Sequence, residues 1–168
     1  MNAAPGGVPP VSWQVPFVPV GPAPGYEFGG PGPRLVAWIV DSIIVGLLVT
    51  IVAVLGAMLA VAGATNDSAA TVGGGILLIV LGIFAVTLGY FPWFWARNGA
   101  TPGMAIFGLR VVRDSDGGPI SGGQAVLRLI GYWVSGVVFY IGYIWIFVDA
   151  RKRGWHDLIA GTVVVRPI

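Results

Sequence analysis

Arg34-Leu-Val-Ala-Trp-Ile-Val-Asp41 opens the first long apolar stretch of the chain. Residues 35–64 hold a single charge, Asp41, and about 20 apolar residues are enough to cross a hydrocarbon core of about 30 Å. Asp41 follows Arg34 on nearly the same helix face, about 10 Å deeper at a rise of about 1.5 Å per residue. A bare carboxylate at that depth costs about 2.5–3.5 kcal/mol on insertion scales. The stretch therefore predicts a transmembrane helix whose Asp41 is paired, neutralised or hydrated inside a bundle.

Composition supports the same class. Of 168 residues, 56% are hydrophobic and 10% charged, far from the roughly 25% charged of soluble domains, and the mean hydropathy is +0.86. Nine Lys/Arg against seven Asp/Glu give a net charge of +2, too slight and dispersed for nucleic-acid binding. The absence of cysteine removes disulfides and thiolate chemistry.

Residues 1–33 contain nine Pro and seven Gly, with Glu27 their only charge. Such a segment buries too little surface to offset its ordering entropy and predicts a disordered, polyproline-leaning tail. Its aromatics Trp13, Phe17, Tyr26 and Phe28 are either docking points or scattered residues of an uncommitted tail. A polar turn at residues 63–68 separates the first span from a second, Val72 to Trp95, which closes in an aromatic belt. Small residues recur at four-residue spacing (Gly56/Ala60/Ala64, Ala85/Gly89), which permits close helix approach. Beyond the turn at Asn98–Gly103, the segments 109–113 and 162–166 are rich in β-branched residues, and they are expected to pair as strands.

The third apolar segment, Ala125 to Val148, carries Arg128 at its start and Asp149 at its end, followed by Arg151-Lys-Arg153. One crossing would separate that last cluster from Arg34, Arg97, Arg110 and Arg113. A re-entrant hairpin broken near Ser135-Gly136 or Gly142 keeps every basic residue on the cytoplasmic side, as the positive-inside rule asks. Three full spans are the alternative.

Asp41 has two readings. It is a proton- or cation-binding carboxylate, as intramembrane ionisable groups tend to be, or a structural counter-ion to Arg128 or Arg34. Asp149 beside Arg151 reads as a structural pair or helix-end carboxylate, and Arg34 as a snorkelling anchor. His156-Asp157 lacks a placed nucleophile and reads as a turn opening a short interfacial helix. Gly103 to Gly108 is not a phosphate loop, because Leu109-Arg110 stands where Lys-Ser/Thr is required.

With these residues in place, the chain resembles the RDD family of bacterial membrane proteins, named for one arginine and two aspartates. Arg34 and Asp41 match the first two, and Asp149 matches the third. Thr101-Pro-Gly103 through Gly108-Leu-Arg-Val-Val112, and Trp155-His-Asp-Leu-Ile-Ala-Gly-Thr-Val-Val-Val165, also resemble the family's sequences. Met104 departs from the basic residue the family commonly carries after Pro-Gly. The resemblance implies a membrane fold over residues 34–166 with a polar site, and a transport-related role.

The expected fold is an all-α membrane protein. It is a small bundle of two transmembrane helices and a third apolar segment, span or re-entrant, with a short cytoplasmic β-like piece. A tail over 1–33 precedes a membrane domain over 34–168. The expected function is transport-related, through a proton- or cation-responsive Asp41 tuned by Arg34, Arg128 and Asp149. An accessory subunit of a larger membrane complex, recruiting partners through its Pro-rich tail, is the alternative. No enzyme activity, cofactor, metal site or nucleic-acid partner is expected. The chain is expected in the bacterial inner membrane, its N-terminus cytoplasmic, as a homo-oligomer or within a larger complex.

Overall fold

Pro31 and Pro33 lie in the first turn of α1 (Pro31–Thr65), where a missing N–H costs nothing and the fixed φ suits the helix. At 35 residues α1 is about 50 Å long, and α2 (Ala69–Asn98), with 30 residues, about 45 Å. Both are long and apolar enough to cross a membrane. The structure, a computed structural model, describes residues 21–168. The polar turn predicted between the helices is their hairpin tip. There Asp67 takes a left-handed φ of 51° and the Ser68 side chain accepts a hydrogen bond from the Thr71 N–H.

Of the small residues at four-residue spacing, Gly56 and Ala60 serve this hairpin, whereas Gly89 has no neighbour within 4 Å. A methyl group on Gly75 would lie 2.5 Å from the Gly56 carbonyl oxygen and 2.6 Å from the Ala60 nitrogen, so the two backbones meet where only glycine fits. On the outer faces Leu47, Ile51, Met58, Leu77, Leu81 and Phe84 are each more than half exposed. An apolar surface of that extent belongs in lipid rather than water.

At its other end α2 stops on Gly99, whose φ of 69° closes the helix. Thr101 then caps a short helix α3 (Pro102–Ile106), and β2 (Arg110–Arg113) follows. β2 lies antiparallel to β3 (Thr162–Pro167), with Arg110 opposite Val165 and Arg113 opposite Thr162. This is the pairing that the β-branched runs predict.

A third strand was not expected. β1 (Tyr26–Phe28) adds to the other edge of β3, and the Glu27 and Arg166 side chains pair across it. Residues 26–33 are therefore sheet and helix rather than tail. The free edge of β3 supplies backbone partners that composition alone does not reveal, including Val164, whose carbonyl accepts the Gly29 N–H at 2.8 Å. The disorder expected for residues 1–20 concerns a segment outside the described residues.

The third apolar segment is two helices, α4 (Gly122–Val137) and α5 (Ile141–Val148), bent by 102° at their junction. The break falls at Val138–Tyr140, where Phe139 and Tyr140 both have positive φ, rather than at Ser135-Gly136 or Gly142. Those small residues serve the contact between the arms instead: a methyl group on Gly142 would lie 2.3 Å from Ser135 Oγ.

Both ends of this bent segment meet the same layer. Gln124, near the start of α4, donates to the Ala160 carbonyl in α6 (Trp155–Ala160) at 3.2 Å. Just after α5, Arg151 and Arg153 bind Asp114, in the turn after β2, at 2.8 and 3.0 Å. The segment leaves that layer and returns to it. Between the layer and the inner ends of α1 and α2 lies the core, built from Ala37, Trp95, Met104, Leu109, Val111, Ile120, Ala125 and Val164.

The hairpin path predicts that single cysteines replacing Ser115 and Lys152 share one accessibility to a membrane-impermeant thiol reagent in intact cells. A cysteine at Ser68 should show the opposite one. The natural chain has no cysteine to interfere. Opposite labelling of positions 115 and 152 would mean that the third segment crosses the membrane.

Candidate functional site

Asp157 is the third residue of α6, wholly buried, and receives two arginines from distant parts of the chain. Arg34 Nη1 donates to Asp157 Oδ2 at 2.6 Å, and Arg128 Nη1 pairs with Oδ1. The Gly154 N–H adds a third donor at 3.0 Å. Arg34 also donates through Nε to the Gly29 carbonyl at 2.9 Å, and Arg128 to Thr162 Oγ1 at 2.7 Å. The guanidinium of Arg128 lies over the Trp95 ring, 5.0 Å from its centroid, and 5.8 Å from that of Tyr132. Planar, weakly hydrated guanidinium is the cation best suited to such a stacked, desolvated position.

Burial opposes the charge on Asp157, but Arg128 and then Arg34 overcome it and hold its pKa well below the usual carboxylate range. The neighbouring His156 goes the other way. Burial is the main cause, and with the two arginines it outweighs the attraction of Asp157 and pushes the imidazole down to about 3. His156 is therefore neutral, stacked on Tyr132 with ring centroids 4.0 Å apart.

Asp41 occupies a separate niche, about 15 Å along α1 from its start. It pairs with neither Arg34 nor Arg128. Tyr90 Oη and the Gly103 N–H donate to Oδ1, each at 2.9 Å, and Thr101 Oγ1 donates to Oδ2 at 2.5 Å. The close approach needs Gly103, since a methyl group there would lie 2.3 Å from the Ala37 carbonyl oxygen and 2.9 Å from the carboxylate. The ion pair weighed from sequence fails because Asp157 already occupies both arginines. Asp41 and the arginines nevertheless line one small cavity of about 30 Å³, together with Trp95, Thr101 and Tyr132.

Asp149 stands apart from this centre. It accepts the Arg153 side chain and the Arg151 and Arg153 N–H groups, all at 3.0 Å, and so fixes the loop after α5. The Arg153 hydrogen bond is the main reason its pKa is lowered. The aspartate that completes the pairing of Arg34 is thus Asp157, which sequence reasoning dismissed as part of a turn. One signal was available: two arginines at the margins of apolar segments need more acid than Asp41 alone supplies. Among the described residues, no three His, Asp or Glu side chains gather to hold a metal.

An apolar helical hairpin, with two arginines and two aspartates buried beneath its inner end, defines a small integral membrane protein. The chain belongs to the RDD family, whose sequence profile matches residues 28–161. It is 31% identical over 147 residues to the "Uncharacterized protein YxaI" of Bacillus subtilis, covering 79% of this chain and 93% of that one. It is similar to the "Proline-rich antigen" of Mycobacterium leprae, 26% identical over 77% of this chain and 57% of that one. The "Proline-rich antigen homolog" of Mycobacterium tuberculosis matches at 26% over 46% of this chain and 34% of its own length. The chain thus spans between a third and just over half of these mycobacterial relatives. No solved structure matches it.

Removing Asp157 leaves two buried cations. Asp157→Asn should destabilise the protein in detergent by about 3–5 kcal/mol, the usual loss when one member of a buried ion pair goes. Adding Arg128→Gln should recover part of that loss, and more than the same addition recovers in Asp41→Asn, because only Asp157 touches Arg128. Thermal melts of these four variants, of Arg128→Gln alone and of wild type give the coupling.

Acid stability follows from His156. Its folded pKa lies below the unfolded value, so the unfolded chain binds the extra proton first and stability falls as pH drops from about 6.5 toward about 3. Asp157, also depressed, keeps its full contribution above its ordinary value of 3.8 and loses it as pH falls below that. Replacing His156 with Phe, which keeps the stacking, should flatten the slope of melting temperature between pH 6.5 and 4.

Proposed function

We propose that this is a transport-related membrane protein whose proton- or cation-responsive group is Asp41. One observation carries the reading: Arg34, Arg128, Asp157 and Asp41 form a charge-balanced quartet, with Asp41 and both arginines on the wall of one cavity. Protonating Asp41 leaves one uncompensated positive charge in a low-dielectric interior, which is costly. The centre then has to rearrange or exchange an ion, and that necessity is what couples a proton to a second event.

The oxygens around Asp41 suit this role. Tyr90 and Thr101 contribute hydroxyls that donate in the present arrangement and can turn to offer lone pairs. With the two carboxylate oxygens they form a cluster that accepts either a proton or a small cation in its place. Arg34 and Arg128 set the field in which that exchange occurs. Asp149 belongs to the loop after α5 and tunes it only through Arg153.

The test is ion flux in proteoliposomes, wild type against Asp41→Asn. Asparagine keeps the shape and can still accept from Gly103 and Tyr90, so the variant should still assemble, though less stably for the charge it no longer balances. Its proton- or cation-dependent flux should fall to the level of empty vesicles. Equal flux in both proteins would remove Asp41 from the mechanism. No flux in either, with a partner protein co-purifying, would favour the accessory-subunit reading.

A further inference from the structure

A second cavity, of about 390 Å³, lies between α1, α2, α4 and α5. Trp38, Phe91, Trp95, Tyr132, Trp133 and Tyr143 form most of its wall, and no charged side chain lines it. Its rim residues Trp133 and Tyr140 are about two-thirds exposed and belong to apolar segments, so the way in is from the lipid side. That volume falls within the range of small-molecule sites.

The inner end of this cleft has a different character. Trp38, Phe91, Trp95 and Tyr132 also line the 30 Å³ cavity that holds Arg34 and Arg128. Three residues around that inner cavity carry a buried nitrogen without a partner: Arg34 Nη2, Arg128 Nε and Trp95 Nε1. All three are N–H donors, and none can accept. A complementary ligand must therefore present an acceptor there. Asp157 and Asp41 already balance the two arginines, so a full negative charge would be in excess, and a neutral carbonyl oxygen fits better.

We infer that this cleft binds a membrane-soluble, neutral, planar conjugated carbonyl compound of the quinone class. Its ring stacks among the tryptophans and tyrosines, and one carbonyl accepts from the Trp95 and arginine N–H groups. Its apolar tail leaves past Trp133 into the bilayer. Aromatic faces reward the ring through offset stacking, and the buried donors reject a ligand that has no acceptor. This inference goes beyond the transport reading and does not require that any ion crosses.

The experiment titrates purified, detergent-solubilised protein with a decyl-substituted benzoquinone, and separately with decylbenzene, which has the same tail on a flat six-membered ring without carbonyls. Isothermal calorimetry reads the affinity. The quinone should bind saturably at one site and at least about tenfold more tightly than the hydrocarbon, the worth of one hydrogen bond to a buried donor. Trp95→Phe keeps an aromatic ring and removes one of the three donors, so it should reduce that preference. Trp133→Leu alters only the exposed rim, and should weaken both ligands together. Equal affinity for the two compounds, with Trp95→Phe unchanged, would make the cleft a seat for lipid chains and overturn the inference. So would the absence of saturable quinone binding to a wild type that melts cooperatively. Ion flux is read separately, after reconstitution of the same protein into proteoliposomes, so each proposal stands or falls on its own data.

Discussion

Asp157 is the residue on which the inner half of this protein depends. A single carboxylate holds Arg34 at the start of α1 and Arg128 in α4 while sitting itself in α6. Three elements far apart in sequence are thereby fixed at one point. Each guanidinium would be costly to bury alone, so none of the three can settle without the others. The stacking of Arg128 on Trp95 extends the same constraint to α2. The sheet then closes over the centre, with Thr162 at the start of β3 taking a further Arg128 hydrogen.

Much of this architecture is legible in the residues. The hairpin follows from two apolar runs and a polar turn. The pairing of β2 with β3 follows from two β-branched stretches, and the bend in the third segment from the placement of basic residues. Asp41 is legible as a buried carboxylate because its surroundings are so apolar. Its partners are not, because Tyr90 and Thr101 look like an aromatic-belt residue and a turn residue until α3 folds against α1. The glycines at 103 and 142 mislead in another way. They read as a turn and as a helix break, yet each marks a place where another chain segment approaches too closely for a side chain.

Asp157 was missed for a related reason. Short polar motifs such as His156-Asp157 carry no periodicity, and α6 has only six residues. Nothing local distinguishes a solvated turn from a buried one. What distinguishes them is a count of charges across the folded chain, and that count requires knowing that the third segment returns to the sheet. β1 illustrates the same limit, since three residues of a Pro- and Gly-rich stretch become a strand only because β3 offers an open edge.

The position of β3 bears on how the protein is made. It follows every other element in the order of synthesis and yet is the middle strand, flanked by β1 and β2. Arg34 and the α1–α2 hairpin precede α6 in that order, and the counter-charge of Arg34 follows more than a hundred residues later, at position 157. Quality control that senses unpaired charge within the membrane would have that interval in which to act, and the completion of α6 and β3 is what ends it.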